Sequence, residues 1–299
     1  MTKILLDNNF AQVSLTSLPD GDVNHKVSAL TISHTYCQAT VSLYGGHVLS
    51  FQPKGFQNLL WLSEQASYQA GKAIRGGIPI CWPWFGVNTN QDYANPSIKH
   101  GFARQLLWHV ESIEADDVGV TIVLVLEGDN QHSLWPNAFK LKQSLFFGEK
   151  LSQSLAISNL TNDTIEFTFA FHNYFRVSDS SKISIDNLTG VIYHDKLTDK
   201  TNTQHKPVSC VGEIDREYHT SKKMSIVDSY WQQAIEVDSD NCNQWVLWNP
   251  GAKLASKMPD IHQDGEKQYI CLESASTKWQ NLPAGETMTC SQQIKVKKL

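Results

Sequence analysis

The chain has 299 residues, 41 % of them hydrophobic and 18 % charged, with a formal net charge of −5. That balance suits a globular protein with an ample core and argues against a nucleic-acid partner, because no basic tract accompanies the aromatics. A small anion remains possible as a ligand wherever a few cations converge.

No stretch reaches the roughly 18 apolar residues of a membrane helix, and the N-terminal Met-Thr-Lys-Ile-Leu-Leu-Asp-Asn-Asn is too short in apolar residues for a signal peptide. No membrane partner is expected. The six cysteines are scattered, without a C-x-x-C pair or metal-ligand spacing. Reduced thiols in a cytoplasmic protein are the expectation.

In chain order, Ser63 to Lys72 could supply one or two helical turns, and little else could. Residues 75–104 show neither helical nor strand periodicity, so a long irregular connection is predicted there. Such connections inside compact domains are usually functional or disordered, and this one is too rich in Trp, Phe and Ile for disorder. Its glycines, Gly76 and Gly77, would let a ligand approach the backbone beside Arg75 closely.

Val118 to Leu126 reads as a β-branched strand ending in the turn cluster Glu127-Gly128-Asp129. Lys140–Phe147 and Lys150–Ile157 alternate apolar and polar residues around Gly148-Glu149, the pattern of a hairpin. Further short strands are expected at Ile165 to Phe175, Lys182 to Ile185, Trp245 to Trp248, Gln268 to Leu272 and Cys290 to Val296. Asp195–Lys206 reads as a polar loop between strands. Many short strands at near-regular spacing predict an all-β antiparallel sandwich. No repeat or linker divides the chain, so one domain spanning 1–299 is expected. No long amphipathic seam argues for assembly, and a monomer is the expectation.

Three groups of residues could carry chemistry. In Phe167-Thr-Phe-Ala-Phe-His-Asn-Tyr174 the two-residue strand period puts Phe167, Phe169 and Phe171 on a core face. Thr168, Ala170, His172 and Tyr174 then share the opposite face, small and polar enough to admit a ligand. His172 there is either a structural hydrogen-bonder or a general acid–base, a task suited to its ordinary pKa of about 6.5.

Gln268-Tyr-Ile-Cys-Leu-Glu273 is an apolar strand that ends abruptly in a carboxylate. Burial or like charge would raise the Glu273 pKa; pairing with an arginine is the other reading, and the two are compatible. The third group is the arginines, of which the chain has four against 21 lysines. Arg75 and Arg104 flank the irregular connection, with Lys99 beside Arg104. A guanidinium binds phosphate or carboxylate with a planar fork that lysine lacks. Arg216 reads as paired with its neighbours Asp215 and Glu217. Trp82, Trp84 and Trp248 offer faces for stacking on a sugar ring or for packing.

Arg75-Gly-Gly-Ile-Pro-Ile-Cys-Trp-Pro, Lys99-His-Gly-Phe-Ala-Arg104, Phe171-His-Asn-Tyr-Phe175, Trp248-Asn-Pro250 and Cys271-Leu-Glu-Ser274 together resemble the glucose-6-phosphate 1-epimerases. These form the hexose-phosphate branch of the aldose 1-epimerase family. The resemblance spans about residues 40–295, and its segments occur in the family's order.

It implies a galactose-mutarotase-like β-supersandwich with the site on a concave sheet face, and anomer interconversion with no metal and no cofactor. It further implies His172 as general acid at the ring oxygen and Glu273 as general base at the anomeric hydroxyl. Arg75, Lys99 and Arg104 would bind substrate. Asp215, or an acid beside it, would accept from a sugar hydroxyl, and His100 would contact sugar oxygens in a lesser role than His172.

The expected partner is a small-molecule sugar phosphate. A glycosidase would want two carboxylates flanking the scissile bond, and only one well-placed carboxylate is visible. A metal-dependent enzyme lacks the H-x-H or H-x₃-H spacing near an acid. An epimerase of unphosphorylated aldoses, and a sugar-phosphate-binding module without turnover, are the competing readings.

Overall fold

The computed structural model describes residues 2–18, 27–69, 71–88 and 99–299. Among them, helix is limited to Gly251–Ala255 and three short 3₁₀ turns, and three sheets carry the rest of the regular structure. All pairings between these strands are antiparallel, and many of the strands offer one apolar face, as the alternating sequence suggests.

The first sheet is a five-stranded meander of Lys3–Asp7, Ala11–Ser17, Ser28–His34, Cys37–Ser42 and His47–Pro53. The second has eight strands. Its centre is formed by Val120–Gly128, Phe139–Phe147, Leu151–Asn159, Thr287–Lys298 and Gln233–Asp240, with Met224–Asp228, Ser184–Asp186 and His109–Ala115 outside them.

The third sheet runs Lys200–Thr203, Ile192–Asp195, Ile214–Tyr218, Gln244–Asn249, Tyr269–Leu282, Ile165–Phe171 and Ile80–Cys81, and Tyr174–Arg176 also pairs with Tyr269–Leu282. One continuous apolar core draws residues from all three, from Val13 and Phe51 through Leu155 to Leu272 and Ile294.

The predicted hairpin is present, with Leu151 opposite Phe147 across Gly148–Lys150. Leu141, Leu145, Phe147, Leu151, Leu155 and Ile157 point inward and are fully buried, each worth about 1.5–3 kcal/mol of apolar burial.

Several expectations need correction. The strand expected over 165–175 breaks at His172-Asn173: Ile80 and Cys81 pair with Phe171 and Ala170, His172 N donates to Pro79 O, and a new strand resumes at Tyr174. The facing survives the break, with Phe167, Phe169 and Phe171 in the core and Thr168 and His172 on the cavity side.

Tyr269–Leu282 does not end at Glu273 but runs through it for 14 residues. Asp195–Lys206 holds the turn and second strand of a hairpin, Ile192–Asp195 paired with Lys200–Thr203, with Asp199 at positive φ in the turn, a conformation Asp tolerates.

Ser180–Lys182 forms a 3₁₀ turn and the strand starts only at Ser184. Ser63–Lys72 forms no helix among its described residues; residue 70 lies outside them. There Ser63 Oγ accepts from Gln65 N, a local bond that competes with helix. Of the connection 75–104, residues 89–98 lie outside the described set.

Candidate active site

Cross-strand register builds the floor of the site. Asp215 is opposite Trp248, Trp248 opposite Cys271, and Cys271 opposite Tyr174. Two residues along, Glu217 is opposite Val246 and Val246 opposite Glu273. Directly opposed residues share a face, so the two rows lie side by side on one face of the third sheet. The other face carries Leu247, Ile270 and Leu272 into the core.

His172 enters beside Glu273 from the strand break, its Nδ1 3.4 Å from Glu273 Oε1. That is ion-pair distance without hydrogen-bond alignment: His172 Nδ1 and Glu273 Oε2 are buried with no hydrogen-bond partner. Buried polar atoms of this kind call for a functional explanation.

Above the floor is a cavity of about 700 Å³. It is lined by all seven residues to which the family resemblance gives a catalytic or binding role: Arg75, Lys99, His100, Arg104, His172, Asp215 and Glu273. Arg104 Nη2 donates to Lys99 O at 2.9 Å, and its buried Nε has no hydrogen-bond partner. Arg75 is already engaged, Nε to Asp260 Oδ2 at 2.9 Å and Nη1 to Tyr174 Oη at 2.8 Å.

The Tyr174 ring in turn stacks flat on the His172 imidazole, centroids 4.8 Å apart, and His100 meets His172 edge-on at 5.4 Å. His100 sits at φ 65°, held by its N–H to Gly86 O at 2.7 Å. Its Nδ1 accepts from Gly86 N at 3.3 Å. An accepting Nδ1 leaves the proton of the neutral ring on Nε2.

A chain of buried amides supports the break from below. Asn173 Nδ2 donates to Leu272 O and to Gln292 Oε1, while Gln292 Nε2 donates to Asn173 Oδ1 and to Gln153 Oε1. Gln153 Nε2 continues to Gln143 Oε1, and Gln143 Nε2 to Gly46 O. The residues after His172 and before Glu273 are thereby pinned together.

Electrostatics follow burial. Burial pushes the Glu273 carboxyl well above the ordinary range; Lys196 opposes this, Asp215 adds to it and Arg104 opposes it. Burial, then Arg104 and Arg75, hold His172 well below the usual imidazole value. Burial likewise lowers His100. Asp215 is raised by burial, with Lys196 opposing and neighbouring acids adding. Both directions favour the uncharged partners, with the pair's proton on Glu273.

Donor atoms of His172, Cys271 and Glu273 lie within 4.8 Å of one another. Burial holds the Cys271 thiol well above its usual range, so a metal would first have to displace that proton.

Some sequence readings change here. Trp82 and Trp84 are fully buried and pack in an aromatic cluster with Phe102; only Trp248 of the three lines the cavity. Gly76 and Gly77 serve close approach of the protein's own backbone, since an added Cβ would stand 2.5 Å from Trp61 O and 2.3 Å from Val48 O. Arg216 pairs with Asp195 at 3.1 Å, because the strand period turns it away from Asp215 and Glu217.

Lys196, in the cavity lining, was hidden within a stretch that reads as loop. Asp260 gave no sequence signal at all: its partner Arg75 lies 185 residues away.

The chain is built almost wholly of antiparallel sheet, with a buried His–Glu pair beside a cavity that Arg75, Lys99, Arg104 and Lys196 line. The sequence profile of the aldose 1-epimerase family matches residues 28–295, and the chain belongs to that family. It is 31 % identical over 282 residues to a protein of Escherichia coli (strain K12) named "Putative glucose-6-phosphate 1-epimerase", covering 91 % of this chain and 92 % of that one.

A crystal structure titled "putative mutarotase" from Salmonella typhimurium superposes with a TM-score of 0.86 at 29 % identity, covering 96 % of this chain and 94 % of that one. A galactose 1-epimerase from Lactobacillus acidophilus NCFM shares the fold, with a TM-score of 0.71 at 12 % identity over 96 % and 98 % of the two chains.

Proposed function

We propose that this chain interconverts the α and β anomers of a hexose 6-phosphate, glucose 6-phosphate above all, by ring opening and reclosure. The observation that carries the reading is the buried His172–Glu273 pair, 3.4 Å apart, in a cavity that also holds Lys99 and Arg104. His172 protonates the ring oxygen as Glu273 takes the anomeric hydroxyl proton. The C1–C2 bond of the open aldehyde turns, and closure on the other face returns both protons.

The forms with the shared proton on Glu273 or on His172 contain equal numbers of protons, so a neutral empty pair is one transfer from the reactive one. Each role contributes about 10²–10⁴-fold, and holding the sugar in register adds a proximity effect. Arg104 and Lys99 receive the phosphate, with Arg75 on the same side. Asp215 accepts from a sugar hydroxyl and His100 Nε2–H donates to a sugar oxygen.

Saturation-transfer NMR on glucose 6-phosphate tests this: the enzyme should raise the anomeric exchange rate, and Arg104→Ala should raise KM for the phosphorylated sugar while leaving glucose unaffected. No acceleration of either sugar sinks the reading. Equal acceleration of both moves the substrate to unphosphorylated aldoses.

A further inference from the structure

Lys196 stands at the end of the strand Ile192–Asp195, and its N–H donates to Asp215 O at 2.9 Å. This extends the row Asp215–Trp248–Cys271 by one residue on the cavity face. Its ammonium is 3.9 Å from Asp215 Oδ1, 4.0 Å from Glu217 Oε2 and 5.0 Å above the Phe85 ring centroid. The side chain is only one-third exposed.

We propose that Lys196 is a positioning residue for the proton shared by His172 and Glu273: its ammonium, held on the acidic wall by Phe85, Asp215 and Glu217, favours the form with the proton on His172 and the carboxylate free to act as base. The proposal rests on the epimerase reading of the site.

The groups facing Glu273 narrow the argument. Cys271 on its own strand, Cys81 two strands away in the same sheet and Tyr174 beside the break are all held protonated by burial, so they carry no charge. His172 is the proton's other seat. The charges that decide its place are then Asp215, which opposes ionisation of Glu273, and Lys196 and Arg104, which favour it. His172 feels Arg104 and Arg75 most among the charges.

Arg75 is committed to Asp260. A sugar phosphate that engages Arg104 also neutralises the field of that guanidinium at Glu273. In the loaded enzyme Lys196 is then the cation left to keep the base ionised.

The test is the pH profile of kcat on glucose 6-phosphate for the wild type, Lys196→Met and Lys196→Arg. The alkaline limb reports loss of the pair's shared proton. Removing a nearby positive charge should move it upward by about one pH unit and lower kcat near neutrality about tenfold, with KM little changed. Lys196→Arg should restore both.

A Lys196→Met protein with an unaltered melting curve, wild-type kcat and an unshifted limb overturns the proposal, as does an effect on KM alone. The wild-type arm separates this from failure of the epimerase reading, which would show as no turnover at all. In that event the ¹³C carboxyl titration of Glu273 in the two unliganded proteins decides it: an unchanged midpoint overturns the proposal.

Discussion

The two eight-stranded sheets share one pairing scheme and use their faces differently. In the second sheet the central strands alternate, Leu151, Leu155 and Ile157 inward against half-exposed Ser152, Ser154 and Ala156. In the third sheet Gln244–Leu247 and Tyr269–Ser276 are buried on both faces. One of those faces is mainly apolar, with Leu247, Ile270 and Leu272 in the core; the other holds Glu273, Val246 and Cys271 beside the cavity. A sheet face that is buried without being wholly apolar can keep a carboxyl and an imidazole short of partners, which is what shifts their proton affinities. The first kind of burial stabilises, and the second carries the chemistry at some cost in stability.

Glu273→Gln gives the largest expected separation of the two. It keeps the shape and removes the base, so anomeric exchange of glucose 6-phosphate by NMR should fall by about 10³-fold. The melting temperature should hold or rise, because a buried carboxyl with an unpaired oxygen is costly to the fold. A melting temperature lowered together with activity would mean that Glu273 is a structural residue, and the contrast between the sheets would be lost.

Leu155→Ala tests the other side. This side chain is fully buried in a strand remote from the cavity lining, and truncation should cost about 2–5 kcal/mol by denaturant titration. The kcat at a temperature where the variant is folded should equal that of the wild type. A fall in kcat of tenfold or more would show that the second sheet is mechanically part of the site.

The same contrast explains what could be read from the sequence. Half-buried strands announce themselves by alternation, so the hairpin around Gly148-Glu149 is legible; in Phe167–Tyr174, buried on both faces, the alternation of Phe with small and polar residues gives the facing instead. Glu273 looks like a strand end because Glu-Ser-Ala-Ser is polar, whereas Ser274 Oγ is satisfied by Gln292 inside the core and the strand continues. The break at His172-Asn173 depends on Ile80 and Cys81, some 90 residues earlier, and on Asn173 reaching Leu272 and Gln292. No local pattern encodes such a contact. Arg75 and Arg104 stand out by rarity, yet the Asp260 partner that holds Arg75 does not.

Gln153→Leu sharpens the comparison most finely, because Gln153 lies on the strand and inward face of Leu155 but belongs to the amide chain running from Gly46 to Asn173. Leucine fills a similar volume, so no large cavity forms; what is lost is the donor to Gln143 Oε1 and one acceptor for Gln292 Nε2. Each orphaned buried group costs about 1–3 kcal/mol, so the stability loss is comparable to that of Leu155→Ala.

Its functional effect should nevertheless be the greater of the two. Gln292, itself on the second sheet's strand Thr287–Lys298, would retain its paired bonds to Asn173 but lose the Gln153 bond that fixes its amide, and Asn173 and Leu272 adjoin His172 and Glu273. Looser placement of the two proton-transfer groups lowers kcat, here about tenfold, while KM, which the proposed phosphate contacts of Arg104 and Lys99 would set, stays near the wild-type value. Denaturant titration and saturation-transfer NMR on both variants give the cross-comparison. If Gln153→Leu kept full kcat at its lower stability, the amide chain would be packing only, and placement of the break would rest on the pairing of Ile80–Cys81 with Ala170 and Phe171.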